Sequence, residues 1–436
     1  MTETAPQRTS GDDVSLCFGA ETLIDAVLAF HGQPIYANVE AGIARKKWLF
    51  RVAFPAVRVL SRSRLANMAM LLAVLLGYRA FRHPDPGCTV FEYGLSHNNI
   101  LAFERLSVCL PEAVRAGVSL NGQPASFMDR VSAALALGPI WQVAGALTRH
   151  RHAQALPQLQ AVIAVATLLF YQRHPLPEAA RVLCTASDHS PVCQSLLFLA
   201  AHSGRKTCYI QHAPVTEYFP PLSYDLTILH DKASARAYER AALRTGTTVP
   251  LRIVYLPPFK REYEPLHLGE PPYTVGICLS FLPNVRRLAA LVDQLAVHPS
   301  VKGIVLRKHP RCTMYLTRLC RHAIASLQPE GETADAFFDQ VDIVLVPNSG
   351  MTIEALHRGR PTFFTPGADD IPDDYYGFVA NGIVPEFRAE LLDDRDAMLA
   401  FFEDAWQTRF GEHDETMHSP LEAARKTVAD AFMRLM

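Results

Sequence analysis

The sequence predicts an α/β protein made of two Rossmann-like domains that face each other across a cleft. Three observations lead there. Short apolar, β-branched runs alternate with amphipathic stretches in two separate blocks, the pattern of parallel, doubly wound sheets. Between the blocks lies PPFKREYEPLHLGEPP (257–272), Pro-rich, charged and without period, which reads as a linker. The chain is also 436 residues long, more than one ordinary core accommodates.

Composition narrows the class. With 49% hydrophobic and 19% charged residues, the chain belongs with packed globular proteins. A net charge of −1 provides no global field for nucleic acid, so no nucleic-acid partner is expected. Nine scattered cysteines form no CxxC pair, which argues for reduced thiols of a cytosolic compartment and against a disulfide framework or structural zinc. The start, MTETAPQRTSGDD, lacks the basic and apolar regions of a signal peptide. The apolar run from Ala66 to Tyr78 is too short to span a bilayer. A soluble or peripheral protein on the cytoplasmic side is expected.

The elements follow in order. Val14–Phe18, Pro34–Asn38 and Thr89–Tyr93 read as strands of the N-terminal sheet, with helical material inserted near 125–172. RVLCTAS (181–187), KTCYIQH (206–212), DLTILH (225–230) and RIVYL (252–256) read as further strands, with helices at Val192–Ala201 and Ala233–Leu243. After the linker come strands at Tyr273–Ser280, Val301–Arg307, Val341–Val346 and Pro361–Phe364. Helices are expected near Asn284–Val297, Met314–Leu327 and Gly350–Arg358, the last closed by Gly359 and Pro361. The expected boundaries are 1–256, linker 257–272, 273–419, and a final helix over 420–436 that packs back across the junction.

The strongest local signal is VDIVLVPNSGMTIEALHRGRPTFF (341–364). A buried strand ends in Asn348-Ser349-Gly350 and opens straight into a helix. Free N–H groups and the positive end of the dipole make such a start an anion site. Gly350 admits a phosphate close to the backbone, Ser349 caps the helix and offers its hydroxyl, and Glu354 can accept hydrogen bonds from ribose hydroxyls. The second signal is Arg307-Lys308-His309-Pro310 at a strand end. Pro310 stops the strand, and a histidine flanked by cations can offset charge on a departing phosphate, as hydrogen-bond donor or general acid.

The pattern of small polar residue, Ser-Gly, Glu-Ala-Leu and Gly-x-Pro resembles the donor-binding element of GT-B glycosyltransferases and of the related UDP-GlcNAc 2-epimerases. The resemblance implies a nucleotide-sugar donor, with Ser349, Gly350 and Thr352 at the phosphate and Glu354 at the ribose. His309-Pro310 one strand earlier is similar to the HP motif of bacterial sialyl- and polysialyltransferases. Arg307-Lys308-His309-Pro310 likewise resembles a motif of the CDP-glycerol glycerophosphotransferases of teichoic acid synthesis. These likenesses imply an inverting transferase acting on capsule or similar glycans, with the donor nucleotide left open: CMP-, CDP- and UDP-linked sugars all satisfy the site. A 2-epimerase-like isomerase and a non-catalytic sugar-nucleotide-binding subunit are the alternatives.

Three candidates for the group that takes the acceptor proton lie in the N-terminal half. Gln211-His212-Ala213 ends a strand and resembles the His-Gly element of the glycerophosphotransferases, with Ala213 in place of glycine. Ser187-Asp188-His189-Ser190 opens a helix, where Asp188 reads equally as an N-cap. Phe91-Glu92-Tyr93-Gly94 is similar to the acid-acid-Gly motif of the sialyltransferases, with Tyr93 where the second acid belongs. No metal and no cofactor is expected: Asp394-Arg395-Asp396 reads as the start of a surface helix, and Gly367–Tyr376 as a solvated acidic loop in preference to one that approaches the donor sugar. Residues 41–84 hold nine Lys or Arg and no Asp or Glu, interleaved with aromatic and aliphatic residues. That composition suits peripheral contact with an anionic membrane, where a glycan acceptor carried on a lipid would wait.

Overall fold

The computed structural model describes residues 10–247, 252–312, 314–371 and 374–436. Two all-parallel sheets organise it. In the N-terminal sheet the spatial order is Val118–Leu120, Val90–Tyr93, Val182–Thr185, Lys206–Ile210, Leu226–Leu229, Ile253–Tyr255. In the C-terminal sheet it is Ala325–Leu327, Val301–Arg307, Tyr273–Cys278, Ile343–Val346, Thr362–Phe364. Runs such as VLCT, LTIL and IVLV are buried along their whole length, because helices cover both faces of a parallel sheet. In both sheets the strand order reverses beside the first strand, and ligands of open α/β sheets bind in the crevice at that reversal. The two Rossmann-like units face each other across a cleft, which is the GT-B architecture.

The N-terminal expectations for Val14–Phe18 and Pro34–Asn38 are corrected. Both segments are helical, within Ser10–His31 and Pro34–Lys46. Short apolar runs do not distinguish a strand from one turn of a buried helix, and here the helical period extends well beyond each run. With Trp48–Leu60, Arg64–Gly77, Phe127–Ala134, Leu137–Arg149 and Ala155–Arg173 they form a helical layer on the N-terminal sheet. Ala155–Arg173 is long and apolar enough to cross a membrane, yet it is mostly buried inside this layer. The helix expected near Met314–Leu327 is instead a 3-10 turn at Thr317–Cys320 followed by the edge strand Ala325–Leu327. A short antiparallel ribbon pairs Arg82–His83 with Gln123–Pro124.

The last helix, Leu421–Met433, lays Val428, Ala431 and Phe432 on the N-terminal sheet, against Val90, Cys184, Cys208 and Ile228. Full burial of each large apolar side chain there stabilises by about 1.5–3 kcal/mol. The 257–272 segment is fastened to the C-terminal unit. Arg358, 7% exposed, pairs with Glu264 of that segment and with Asp335 and Asp339. His357 stacks on Phe259 at 3.6 Å, with Nδ1 2.7 Å from Asp414 and Nε2 3.1 Å from the Arg261 carbonyl.

Candidate functional site in the interdomain cleft

The cleft has a volume of about 2340 Å³ and takes residues from both sheets. From the C-terminal side it receives Arg307, Lys308, His309, Ser349, Gly350 and Glu354, and from the N-terminal side Arg105, His212 and His230. Arg307 is the last residue of its strand, and the others stand on helices or loops beyond the carboxyl end of a strand. The location therefore follows from topology before any side chain is considered.

His309 is tied by its own turn. Its Nδ1 accepts the Arg311 backbone N–H at 3.0 Å, and the Cys312 N–H bonds to its carbonyl at 2.8 Å. Burial, then the nearby Arg311 charge, lowers its pKa to about 4. The imidazole is therefore neutral near pH 7, and with Nδ1 accepting, the proton resides on Nε2. Of the two roles considered from the sequence, this geometry suits a hydrogen-bond donor rather than a general acid. Lys308 adds a cation, loosely paired with exposed Glu330 at 3.5 Å. Arg307 lines the cleft, but its Nη1 donates to Gln328 and to the carbonyls of Glu332 (3.3 Å) and Thr333 (3.1 Å). It fastens the 328–333 loop and lends charge to Glu354.

Ser349 Oγ accepts the Met351 N–H at 3.2 Å, so it caps the helix Met351–His357. Gly350 has an ordinary helical φ of −63°. What crowds the position is Pro214 of the opposite unit: a Cβ on Gly350 would lie 3.0 Å from its Cδ. Glu354 sits one turn in, its pKa raised by burial against the pull of Arg307 and Arg105. Its carboxylate has no hydrogen-bond partner among the described residues. Asn348 and Thr352 lie outside the cleft lining. Asn348 is 8% exposed and its Oδ1 accepts the Tyr375 N–H at 2.6 Å, while Thr352 is 2% exposed. Asn348 stands in the strand-to-helix loop and Thr352 in the first turn of the helix, and which of their side chains face inward is not distinguished by sequence alone.

On the other wall, buried Gln211 sets the course of the chain. Its Nε2 donates to the Ala213 carbonyl and to Ser234 Oγ, both at 2.9 Å, and its Oε1 accepts the His230 N–H at 2.8 Å. His212 then bonds the Ala186 carbonyl, and burial lowers its pKa to about 4. Its Nδ1 is buried with no partner, so one ring nitrogen of this cleft-lining residue is left without a hydrogen bond. Arg105 was not singled out in the sequence. It is a lone cation in the apolar helix His97–Cys109; its Nη2 donates to the Gln211 carbonyl at 3.1 Å and its Nε is unpartnered. Burial lowers it to about 10, opposed by Glu354 across the cleft.

The two acidic candidates stand elsewhere. Glu92 is 3% exposed within the strand Val90–Tyr93, outside the cleft lining, with Oε1 unpartnered. Burial pushes it up to about 8. Asp188 has both oxygens engaged, Oδ2 by the Tyr238 hydroxyl at 2.6 Å and Oδ1 by His189 Nδ1 at 2.8 Å. It orients His189, a residue that sequence reasoning passed over. The loop expected as solvated and acidic is neither throughout. Asp374, Tyr375 and Tyr376 line the cleft, Asp369 is 5% exposed and raised to about 6 by burial, and residues 372–373 lie outside the described residues. Asp394 caps the helix Arg395–Ala400 through the Ala397 N–H at 2.9 Å. Among the described residues, His83, Asp129 and His174 lie close enough together to hold a metal ion. They gather where the Arg82–His83 ribbon meets the helices Phe127–Ala134 and Ala155–Arg173, and His174 Nε2 already contacts Ser132 Oγ at 3.0 Å and the Asp129 carbonyl at 2.9 Å.

Fold and cleft define a two-unit protein of GT-B architecture. No protein-family model and no curated protein matches the chain. Solved structures with a similar fold include CalG4, the calicheamicin glycosyltransferase, at 11% identity and TM-score 0.48 over 80% of this chain and 98% of that one. A UDP-N-acetylglucosamine 2-epimerase of Listeria monocytogenes, so described provisionally, aligns at 11% identity and TM-score 0.42, over 79% and 94%. Against a chain of the GtfA/B complex the values are 15% and 0.35, over 63% of this chain and 60% of that one.

Proposed function

We propose that this chain is a glycosyltransferase that moves a sugar from a nucleotide-activated donor to a growing cell-surface polysaccharide or lipid-linked glycan. The observation that carries the reading is the meeting, in one cleft, of His309, Ser349 and Glu354 from one sheet with His212 and Arg105 from the other. Glu354 accepts hydrogen bonds from ribose hydroxyls. His309 Nε2–H, Lys308 and the Ser349 hydroxyl hold the donor phosphate next to the sugar. The acceptor hydroxyl attacks the anomeric carbon from the opposite face, and the bond to the phosphate oxygen breaks with its electron pair leaving on the phosphate. His212 Nδ1 takes the acceptor proton. Negative charge brought in by the donor raises the imidazole's affinity for that proton.

In-line attack inverts the anomeric centre. The three donor groups stabilise the leaving phosphate electrostatically, as preorganised hydrogen-bond donors and charge do in other sites, and the mechanism needs no bound metal. The likeness of Arg307–Pro310 to sialyltransferase and glycerophosphotransferase motifs favours a CMP- or CDP-linked donor, at the cytoplasmic face of the membrane. Nucleotide release from CMP-, CDP- and UDP-sugars, with and without polysaccharide acceptors, tests the reading. Acceptor-dependent release of one nucleotide is expected. Conversion of donor alone into an epimer would mean an isomerase, and tight nucleotide binding without turnover with any acceptor would mean a binding subunit.

A further inference from the structure

The basic, apolar segment 41–84 divides in two in the folded protein. Arg64–Gly77 turns Asn67, Leu71 and Leu75 into the helical layer. Trp48–Leu60 does not: among its side chains only Phe54 is buried. Trp48 is 75% exposed, with Leu49, Val52, Val59 and Leu60 exposed beside it and Leu65 continuing the patch. At about 100° per residue the five exposed large apolar side chains of this helix share an arc of about 120°. Lys47, Arg51 and Arg58 lie along one edge of that arc.

Charge and apolarity thus run side by side on a surface that none of the described residues covers. Arg58 pairs with Glu40. Arg51 donates to the carbonyls of Ala44 at 3.0 Å and Arg45 at 2.9 Å, which orients its charge without neutralising it. No carboxylate pairs with Lys47, Arg51 or Arg62 among the described residues. A second protein would supply acidic groups over part of such a face, whereas a sheet of anionic headgroups matches the whole cationic edge and receives the apolar arc below it.

We propose that Trp48–Leu60 is a membrane-surface helix that lies in the headgroup region of an anionic bilayer, with Trp48, Leu49, Val52, Val59 and Leu60 inserted. The preceding helix reaches the loop beside the cleft: Tyr36 lies near Tyr375, which lines it, and Arg45 reaches Asp370 of the same loop at 3.5 Å. Docking therefore brings the mouth of the cleft to the bilayer, where a lipid-borne acceptor is presented. The docking itself does not depend on the transferase reading, because it is measured without donor.

The test is cosedimentation of the full chain with vesicles of phosphatidylglycerol and phosphatidylethanolamine, against vesicles of phosphatidylcholine. Binding to the anionic vesicles that weakens with added salt is expected. Trp48→Ala with Val52→Ser, and separately Lys47→Glu with Arg62→Glu, should each reduce it about tenfold. All four side chains are exposed, so the melting temperature should hold. Wild type left in the supernatant with anionic vesicles, variants that bind like wild type, or lipid-free self-association abolished by Trp48→Ala would each overturn the proposal.

Discussion

Pro214 leans on Gly350: a side-chain carbon added to this glycine would approach the proline ring to 3.0 and 3.2 Å. The loop that carries His212 and the loop that carries Ser349 are thereby held against each other, although they come from different sheets. Gly350→Val should push them apart. Overpacking of this kind costs about 1–3 kcal/mol, and turnover should fall at least about tenfold because small misplacements of reacting groups are severe. Steady-state kinetics with a melting curve separates lost geometry from lost folding.

His212→Asn should leave nucleotide affinity near wild type and lower kcat by about 10²–10⁴, the usual contribution of a positioned acid–base group. Stopped-time assays of transfer check this. An equal loss in donor affinity would assign His212 to binding.

Glu354→Ala should weaken nucleotide binding by roughly tenfold or more, the loss expected when a hydrogen bond to a charged acceptor disappears. Calorimetric titration reads it directly. A nucleotide lacking the ribose hydroxyls should bind the variant and the wild type alike.

Glu92 makes the protein's stability depend on pH. Its pKa rises from 4.5 to about 8 on folding, so the folded chain holds a proton that the unfolded chain releases between those values. Stability from this group is present below about 4.5 and is lost as pH rises toward 8. Glu92→Gln removes the penalty. Its melting temperature should match wild type near pH 4.5 and exceed it increasingly up to pH 8, by the equivalent of a few kcal/mol. A gap that stays constant with pH would contradict the burial.

How much of this was legible in the sequence depended on the length of the pattern. Strands such as Ile343–Val346 and Lys206–Ile210 stood out because their apolar runs are bounded by Pro, Gly and polar residues. The opposed-sheet fold followed from their alternation with helices. Val14–Phe18 misled because five apolar-rich residues fit a strand and a buried helix equally. The placement of Ser349, His309 and Glu354 on one wall of the cleft was readable, since each follows closely on a strand end. The opposite wall was not. Arg105 reaches the cleft from the middle of an apolar helix, and Asp188 acts on His189; both relationships join residues distant in sequence or depend on rotamers. Gly350 was singled out for the approach of a phosphate, while the neighbour the structure sets against it is Pro214, 136 positions earlier by residue number.

The most direct measurement is calorimetric titration of CMP, CDP, UDP and GDP into wild type, His309→Ala and Ser349→Ala. At least one nucleotide should bind wild type, and each variant should lose affinity by about tenfold, the usual order for a charge-assisted hydrogen bond, with unchanged melting. Silence with all four nucleotides, or variants that bind as wild type does, would contradict a donor phosphate held between those two residues.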